Sequence, residues 1–496
     1  MSTNIRRRVG IVAGLCLVAS SLVITSGSAG AEPSSAAAGT RPVYITNGDG
    51  TDDISTFNVD LGTGRPVLAG PLVPAGSGVR QMAFTPDAST AYAANTDTVG
   101  TISVYRVGAQ GKLTRLPEPA GTVDTGGADP LGITVTPNGR FLYVAHVDSS
   151  TIGIFSVAPD GTLTLRKDVS TSVPNPRGLA LTPDGRFLYV GHGDPGPGRD
   201  KSVGAVTTFA VGSDGGLTQV GEPLRIGRFC GDLAVTPDGR RLYVTSSDTD
   251  QVFGFAIGDR GGLTPGGLTP LRGSPYLTSS FPEGIAITPD GRFVYTASLG
   301  VGGHGVGDGA VTGFAIAVDG SLRQVPGSPV LVGKFPVEVT IVPNGRFLYT
   351  SGGDETGEIA AYQIGLNGRP IPISDQPFPT KGMWPAYGSA SVLPNQGPTA
   401  RFAASVNGRT ATFDASASTD TDGRVASYRW DFGDGTSLTT ADPRTTHVYP
   451  KAGTFRASLV VTDNEGCSTA LVATGRVVLC NGTPAATATF EIVVRG

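Results

Sequence analysis

The stretch IAITPDGRFVYTAS, residues 285–298, decides the fold. Ile285 to Thr288 is a short apolar strand. Pro289-Asp290-Gly291 is a tight turn, in which proline fixes φ and glycine supplies a positive one. Phe293 to Ala297 is the returning strand. Working outward, Ala310 to Val318 alternates as a third strand, Asp319-Gly320 makes a hairpin turn, and Ser321 to Val325 begins a fourth strand. The phrase recurs as ITVTPNGRFLYVAH (133–146), LALTPDGRFLYVGH (179–192), LAVTPDGRRLYVTS (233–246) and VTIVPNGRFLYTSG (339–352), with a degraded copy MAFTPDASTAYAAN (82–95). The turn prolines, Pro86, Pro137, Pro183, Pro237, Pro289 and Pro343, are about fifty residues apart. A four-stranded unit at that period buries too little alone, so the units must stack face to face in a ring.

The second strand of each unit carries a tyrosine: Tyr44, Tyr92, Tyr143, Tyr189, Tyr243, Tyr295 and Tyr349. That makes seven blades. The unit at VYITN (43–47) lacks a first strand, and residues 387–394 can supply one. The expectation is an all-β chain with a seven-bladed β-propeller over 42–395, its last blade closed by residues from both ends of the array. The repeats resemble the lactonase-type propellers, the YVTN family that includes 6-phosphogluconolactonase-like proteins. The resemblance implies a small-molecule site where loops converge at one mouth of the channel.

Asn395 to Pro398 reads as a linker, after which the repeat stops. FDASASTDTDG (413–423), YRWDFGDG (428–435) and SLVVTDNEG (458–466) resemble a PKD domain. That implies an Ig-like β-sandwich over 396–496 with Trp430 as a core plug. The resemblance also implies a role in spacing or adhesion. Turn chemistry accounts for Asp431 and Asp434; a Ca²⁺ site joining them to Asp420 and Asp422 is the sharper alternative. No other cofactor or metal is expected.

Residues 1–31 read as a secretory signal: Arg6 to Arg8, an apolar run from Val9 to Ile24, then Ala29-Gly30-Ala31. Three arginines in a row also permit twin-arginine export. Leu15 before Cys16 argues against lipidation. Residues 32–41 would be a linker. Without the leader the chain has 34 basic and 41 acidic side chains, with no basic run, so nucleic acid is not an expected partner. No other stretch is long and apolar enough to span a bilayer. A secreted monomer with a Cys467–Cys480 disulfide is expected, leaving Cys230 as a buried thiol.

Counting back from each turn proline places Arg80-Gln81, Leu131-Gly132, Arg177-Gly178, Gly231-Asp232, Glu283-Gly284 and Val337-Glu338 at the starts of the first strands, with Trp384 and Tyr387 at the closing one. Arg80 and Arg177 suit an anionic or sugar-like ligand, with Glu283 and Glu338 as acid and base. The bland alternative is a rim whose charges pair among themselves. Gln81, Asp232, Tyr387 and Trp384 are candidate ligand contacts. So are His146 and His192 at second-strand ends, although loop-closing hydrogen bonds are their simpler role, and His304 on a glycine-rich loop. Many family lactonases carry histidines at these starts, and the six starts read here have none. Two readings follow: hydrolysis of a sugar or other lactone, or non-catalytic recognition of an extracellular carbohydrate or protein.

Overall fold

The computed structural model describes residues 39–495 except 49, 97–98, 194–203, 259–266, 301–308 and 354–355. Apolar alternation over many short segments gives strands throughout, and seven sheets of the same antiparallel order form the blades. Six blades begin with inner strands Val79–Phe84, Pro130–Val135, Pro176–Leu181, Cys230–Val235, Pro282–Ile287 and Glu338–Ile341. We number these blades 1 to 6. The seventh is composite: its inner strand Pro385–Val392 pairs antiparallel with Thr40–Asn47 in the register Val43↔Val392 and Ile45↔Ala390. The ring therefore closes with strands from the two ends of the array, which removes two free edges.

The recurrent tyrosine clasps one blade to the next. Tyr44, Tyr92, Tyr143, Tyr243, Tyr295 and Tyr349 donate their hydroxyls to the carbonyls of Gly111, Gly161, Gly215, Gly320, Gly368 and Gly64 at 2.6–2.9 Å. Each acceptor is the glycine of an outer hairpin in the following blade, so the tyrosine is both blade-to-blade packing and a satisfied buried hydroxyl. At Gly368 the turn needs φ +84°, and a Cβ would lie 2.3 Å from the Phe293 ring.

Beyond the propeller, Ala403–Asn407, Thr410–Asp414 and Arg444–Val448 form one sheet. Ser437–Thr440, Val425–Asp431, Gly453–Asp463 and Thr487–Val494 form the other. Trp430 is fully buried between them, edge-on to Phe402 at 5.2 Å. Among the described residues no helix is long and apolar enough to cross a membrane.

The segment read as a linker is instead built into the junction. Asn395–Gln396 pairs in parallel with Cys480 and Asn481. Asn395 is buried; it donates to Asp463 and accepts from Arg41. Arg41, on the first propeller strand, is 1% exposed and pairs with Glu465 and with Asp422. Asp422 is therefore engaged at the junction. Asp434 at the far end of Val425–Asp431 binds His447 at 2.7 Å and accepts from the Thr436 amide, and Asp431 accepts from the Gly433 amide. The four aspartates do not converge: seven strand residues, about 20 Å, separate the two pairs. The disulfide joins Cys467 and Cys480, and Cys230 is a buried free thiol.

Candidate functional site at the channel mouth

Each inner strand starts at one end of the channel and runs to its proline turn, Thr-Pro-Asp/Asn-Gly in blades 2 to 5, at the other. Side chains at the strand starts therefore converge at the mouth in two tiers. Arg80, Arg177 and Glu283 occupy equivalent positions in the outer tier, and Gln81, Asp232 and Glu338 occupy the next position inward.

In the outer tier Arg177 Nη2 donates to Glu283 Oε2 at 2.7 Å, with each side chain 8% exposed. The guanidinium of Arg177 lies 4.0 Å from the Tyr387 ring centroid and 4.5 Å from that of Phe229. An arginine held between two rings and a carboxylate is fixed in place, with its charge stabilised by both ring faces. Arg80 is half-buried at the start of blade 1.

In the inner tier the Tyr387 hydroxyl donates to Asp232 Oδ1 at 3.2 Å. Glu338 and Asp232 are fully buried. Gln81 bridges blades by accepting from the Ile133 amide at 2.8 Å. Glycines make room for this layer: a Cβ on Gly178 would lie 3.1 Å from the Tyr387 hydroxyl, and one on Gly284 would lie 2.8 Å from Glu338 Oε1.

The partner of the inner carboxylates comes from outside the array. Arg476 lies 2.9 Å from Asp232 Oδ2 and donates to Glu338 at 2.5 and 3.1 Å. Two carboxylates thus share one guanidinium. Burial pushes the Glu338 carboxyl up; Arg476 opposes this and Asp232 adds to it, leaving it at about 7. Asp232 is also pushed up by burial, against Arg476. Burial likewise raises the Tyr387 phenol well above its ordinary range. The cluster therefore takes up a proton near neutral pH.

His146 and His192 sit behind the wall. Both are 0% exposed. His146 Nδ1 meets Thr151 Oγ1 at 2.9 Å; His192 meets the Pro174 carbonyl at 3.1 Å and Thr207 Oγ1 at 2.7 Å. Burial lowers both imidazoles to about 4, so they are neutral at physiological pH. The reason is their place at second-strand ends, where they close the blade's own loops. His304 lies outside the described residues, as does most of its glycine-rich loop.

Trp384 is 36% exposed at the mouth, edge-on to Phe335 at 6.3 Å. Phe281, Phe335 and Trp384 immediately precede prolines, Pro282 and Pro385 opening inner strands and Pro336 lying two residues before one, and all have left-handed backbones, with φ of 57°, 49° and 51°. A residue before proline strongly prefers an extended backbone, so this conformation is strained and held by its surroundings. Phe229, Phe281, Phe335 and Arg476 escaped sequence reasoning. Phe281 and Phe335 had a usable signal, the aromatic-Pro step shared with Trp384-Pro385; Phe229, followed by Cys230, had none. Arg476 had only the thirteen-residue separation of its flanking cysteines.

Residues 38–197 match the family described as lactonase, 7-bladed beta-propeller, and residues 395–478 match the PKD domain family. The chain is a seven-bladed propeller similar to the lactonase type, followed by a sandwich similar to PKD domains. The 6-phosphogluconolactonase of Yersinia enterocolitica is 38% identical over 94 residues, which are 18% of this chain and 27% of that one. The pre-pro-metalloprotease PrtV of Vibrio cholerae is 40% identical over 96 residues, 19% of this chain and 10% of that protein. The chain thus spans about a quarter or less of the length of these curated relatives. Among solved structures, a putative 6-phosphogluconolactonase from Bacteroides uniformis superposes with TM-score 0.59 at 20% identity, over 71% of this chain and 99% of that one. The periplasmic gluconolactonase PpgL of Pseudomonas aeruginosa does so with TM-score 0.56 at 21% identity, over the same shares. At these identities the likeness carries the fold.

Proposed function

We propose that this lactonase-like propeller is an exported hydrolase of a ring ester, acting at the channel mouth. The observation that carries the reading is the Arg177–Glu283 pair, clamped between Tyr387 and Phe229 in the outer tier. Water adds to the ring carbonyl and its proton passes to Glu283. Arg177, with Arg80 one tier-mate away, stabilises the oxygen on which negative charge develops. The ring C–O bond then breaks, the leaving oxygen takes the proton back, and a hydroxy acid is released. Two arginines suit that anionic product, and Trp384, 36% exposed, suits stacking on a ring. The 6-phosphogluconolactonase and gluconolactonase names among the relatives support a sugar lactone. The Cys467–Cys480 disulfide supports an oxidising compartment.

A second reading, recognition without catalysis, is favoured by one observation: Glu283 and Glu338 each already hold an arginine. The test is hydrolysis of a panel of sugar and aliphatic lactones by the full chain and by Glu283→Gln. We expect turnover that falls at least about a hundredfold in the variant, with Tm little changed. A flat panel with folded protein would leave recognition ahead, and Trp384 fluorescence titrations with neutral sugars would then take over.

A further inference from the structure

The strands Gly453–Asp463 and Thr487–Val494 are antiparallel neighbours, paired from Gly453↔Val494 to Val460↔Thr487. Such neighbours need only a short hairpin. Here residues 464–483 leave the sandwich as an arm, before Ala486 returns to its core. Cys467–Cys480 staples it. Val472–Ala473 and Val478–Asn481 pair within it. Its tip enters the propeller channel from the turn end. The Leu181 amide donates to the Gly475 carbonyl at 2.9 Å and the Val235 amide to the Thr474 carbonyl at 3.2 Å. These are amides on the channel-side edges of inner strands in blades 3 and 4, which no blade neighbour can reach. Gly475 has φ +105°, and a Cβ there would lie 3.0 Å from that of Ala180. Val477 and Leu479 line a small void with Ile285, Ile287, Val339 and Ile341.

A plug that merely filled the channel would be apolar throughout, as Val477 and Leu479 are. At Arg476 the arm instead carries a guanidinium to a nearly water-free position, with 8% of the side chain exposed. That is tolerable only because Asp232 and Glu338 meet it, and those two would be uncompensated buried charges without it. The propeller's carboxylates and the arm of the other domain each require the other.

We propose that the arm makes the PKD domain part of the channel site, with Arg476 the positioning residue that bridges Asp232 and Glu338 and fixes them beneath Tyr387 and Arg177. The domain is then a component of the site rather than a spacer. The kinetic part of the test rests on the hydrolytic reading; the stability part does not.

The groups facing this cluster are Asp232, Glu338, Glu283, Arg177, Tyr387, Arg476 and the Cys230 thiol. A carboxyl raised by burial gives stability at low pH that is lost as pH rises through its folded value. Removing Arg476 raises both carboxyls further and carries that loss to higher pH. The experiment measures Tm against pH for the full chain, Arg476→Met and Arg476→Lys. The gap between parent and Arg476→Met is expected to widen from about pH 5 to about pH 9, with Arg476→Lys between them. A gap constant with pH would show a plug whose charge is immaterial and would overturn the proposal. If Arg476→Met does not fold, Arg476→Lys carries the same comparison, because an ammonium cannot serve two carboxylates as a fork does. Where lactone turnover is found, the pH–rate profile of the variants should move by about one unit or more, through kcat with KM held. A change in KM alone would mean that Arg476 touches substrate and would also overturn it. Absence of turnover in the parent would sink the hydrolytic reading and leave the Tm series to decide.

Discussion

The two ends of the propeller channel are built by different rules. At the turn end the blades repeat one device: the hydroxyls of Thr136, Thr182, Thr236 and Thr288 bond Asn138, Asp184, Asp238 and Asp290 at 2.5–2.7 Å. At the mouth end no two blades are alike, and the inner tier runs from glycine to glutamate. Repeated residues solve a problem that every blade shares, closing a turn and clasping a neighbour. Unrepeated residues make a single place, and one of them, Arg476, is not in the repeat array at all.

The largest effect should come from breaking the repeated side. Gly368→Val places a branched side chain at φ +84° against Phe293. It should cost roughly 4 kcal/mol in urea unfolding, from overpacking and the left-handed backbone together. Any mouth chemistry that survives in the folded fraction should keep its pH profile. Next, breaking the unrepeated side with Cys467→Ser plus Cys480→Ser should cost about 3 kcal/mol on the chain-entropy view of a loop this short. It should also loosen the arm that carries Arg476 to Asp232 and Glu338, and so show a pH-dependent loss of the same sign as Arg476→Met. Tyr295→Phe removes one clasp, the 2.7 Å bond to Gly368, and should cost only about 1 kcal/mol, uniformly with pH.

The smallest effect sharpens the junction. Burial, Asp422 and Asp463 push the Asp420 carboxyl up to about 7. A raised carboxyl destabilises above that value, so Asp420→Asn should stabilise the chain by roughly 1 kcal/mol at about pH 8, after discounting for partial exposure. At about pH 4 it should do nothing. Equal effects at both would contradict the assignment of charge crowding at this corner.

Legibility in the sequence followed the same division. The turn phrase, spaced at about fifty residues, and the seven tyrosines carried blade number, register and the composite closing blade, because every copy states the same local geometry. Trp430 marked the sandwich core for the same reason, as one large side chain in a recognisable strand. Counting back from the turn prolines also brought Arg177, Glu283, Asp232, Glu338 and Tyr387 to one mouth. What they do there was not readable. Pairing depends on contacts such as Arg177 on the Tyr387 ring, more than two hundred residues apart, and on an arm whose sequence carries no repeat. His146 and His192 sat at mouth-end positions in the count, yet a strand's register does not say whether its last residue turns to the channel or back into the sheet. Asn395 to Pro398 had the composition of a linker, and composition is silent on the Asn395–Arg41 and Asn395–Asp463 bonds that bury it.

The most direct test of two domains sharing one charged site is a double-mutant cycle on unfolding free energy at about pH 8, with Arg476→Met, Glu338→Gln and the pair together. Strong coupling is expected, about 2 kcal/mol or more, with the double variant more stable than Arg476→Met alone because Glu338→Gln removes a buried acid that has lost its guanidinium. Costs that simply add would contradict it.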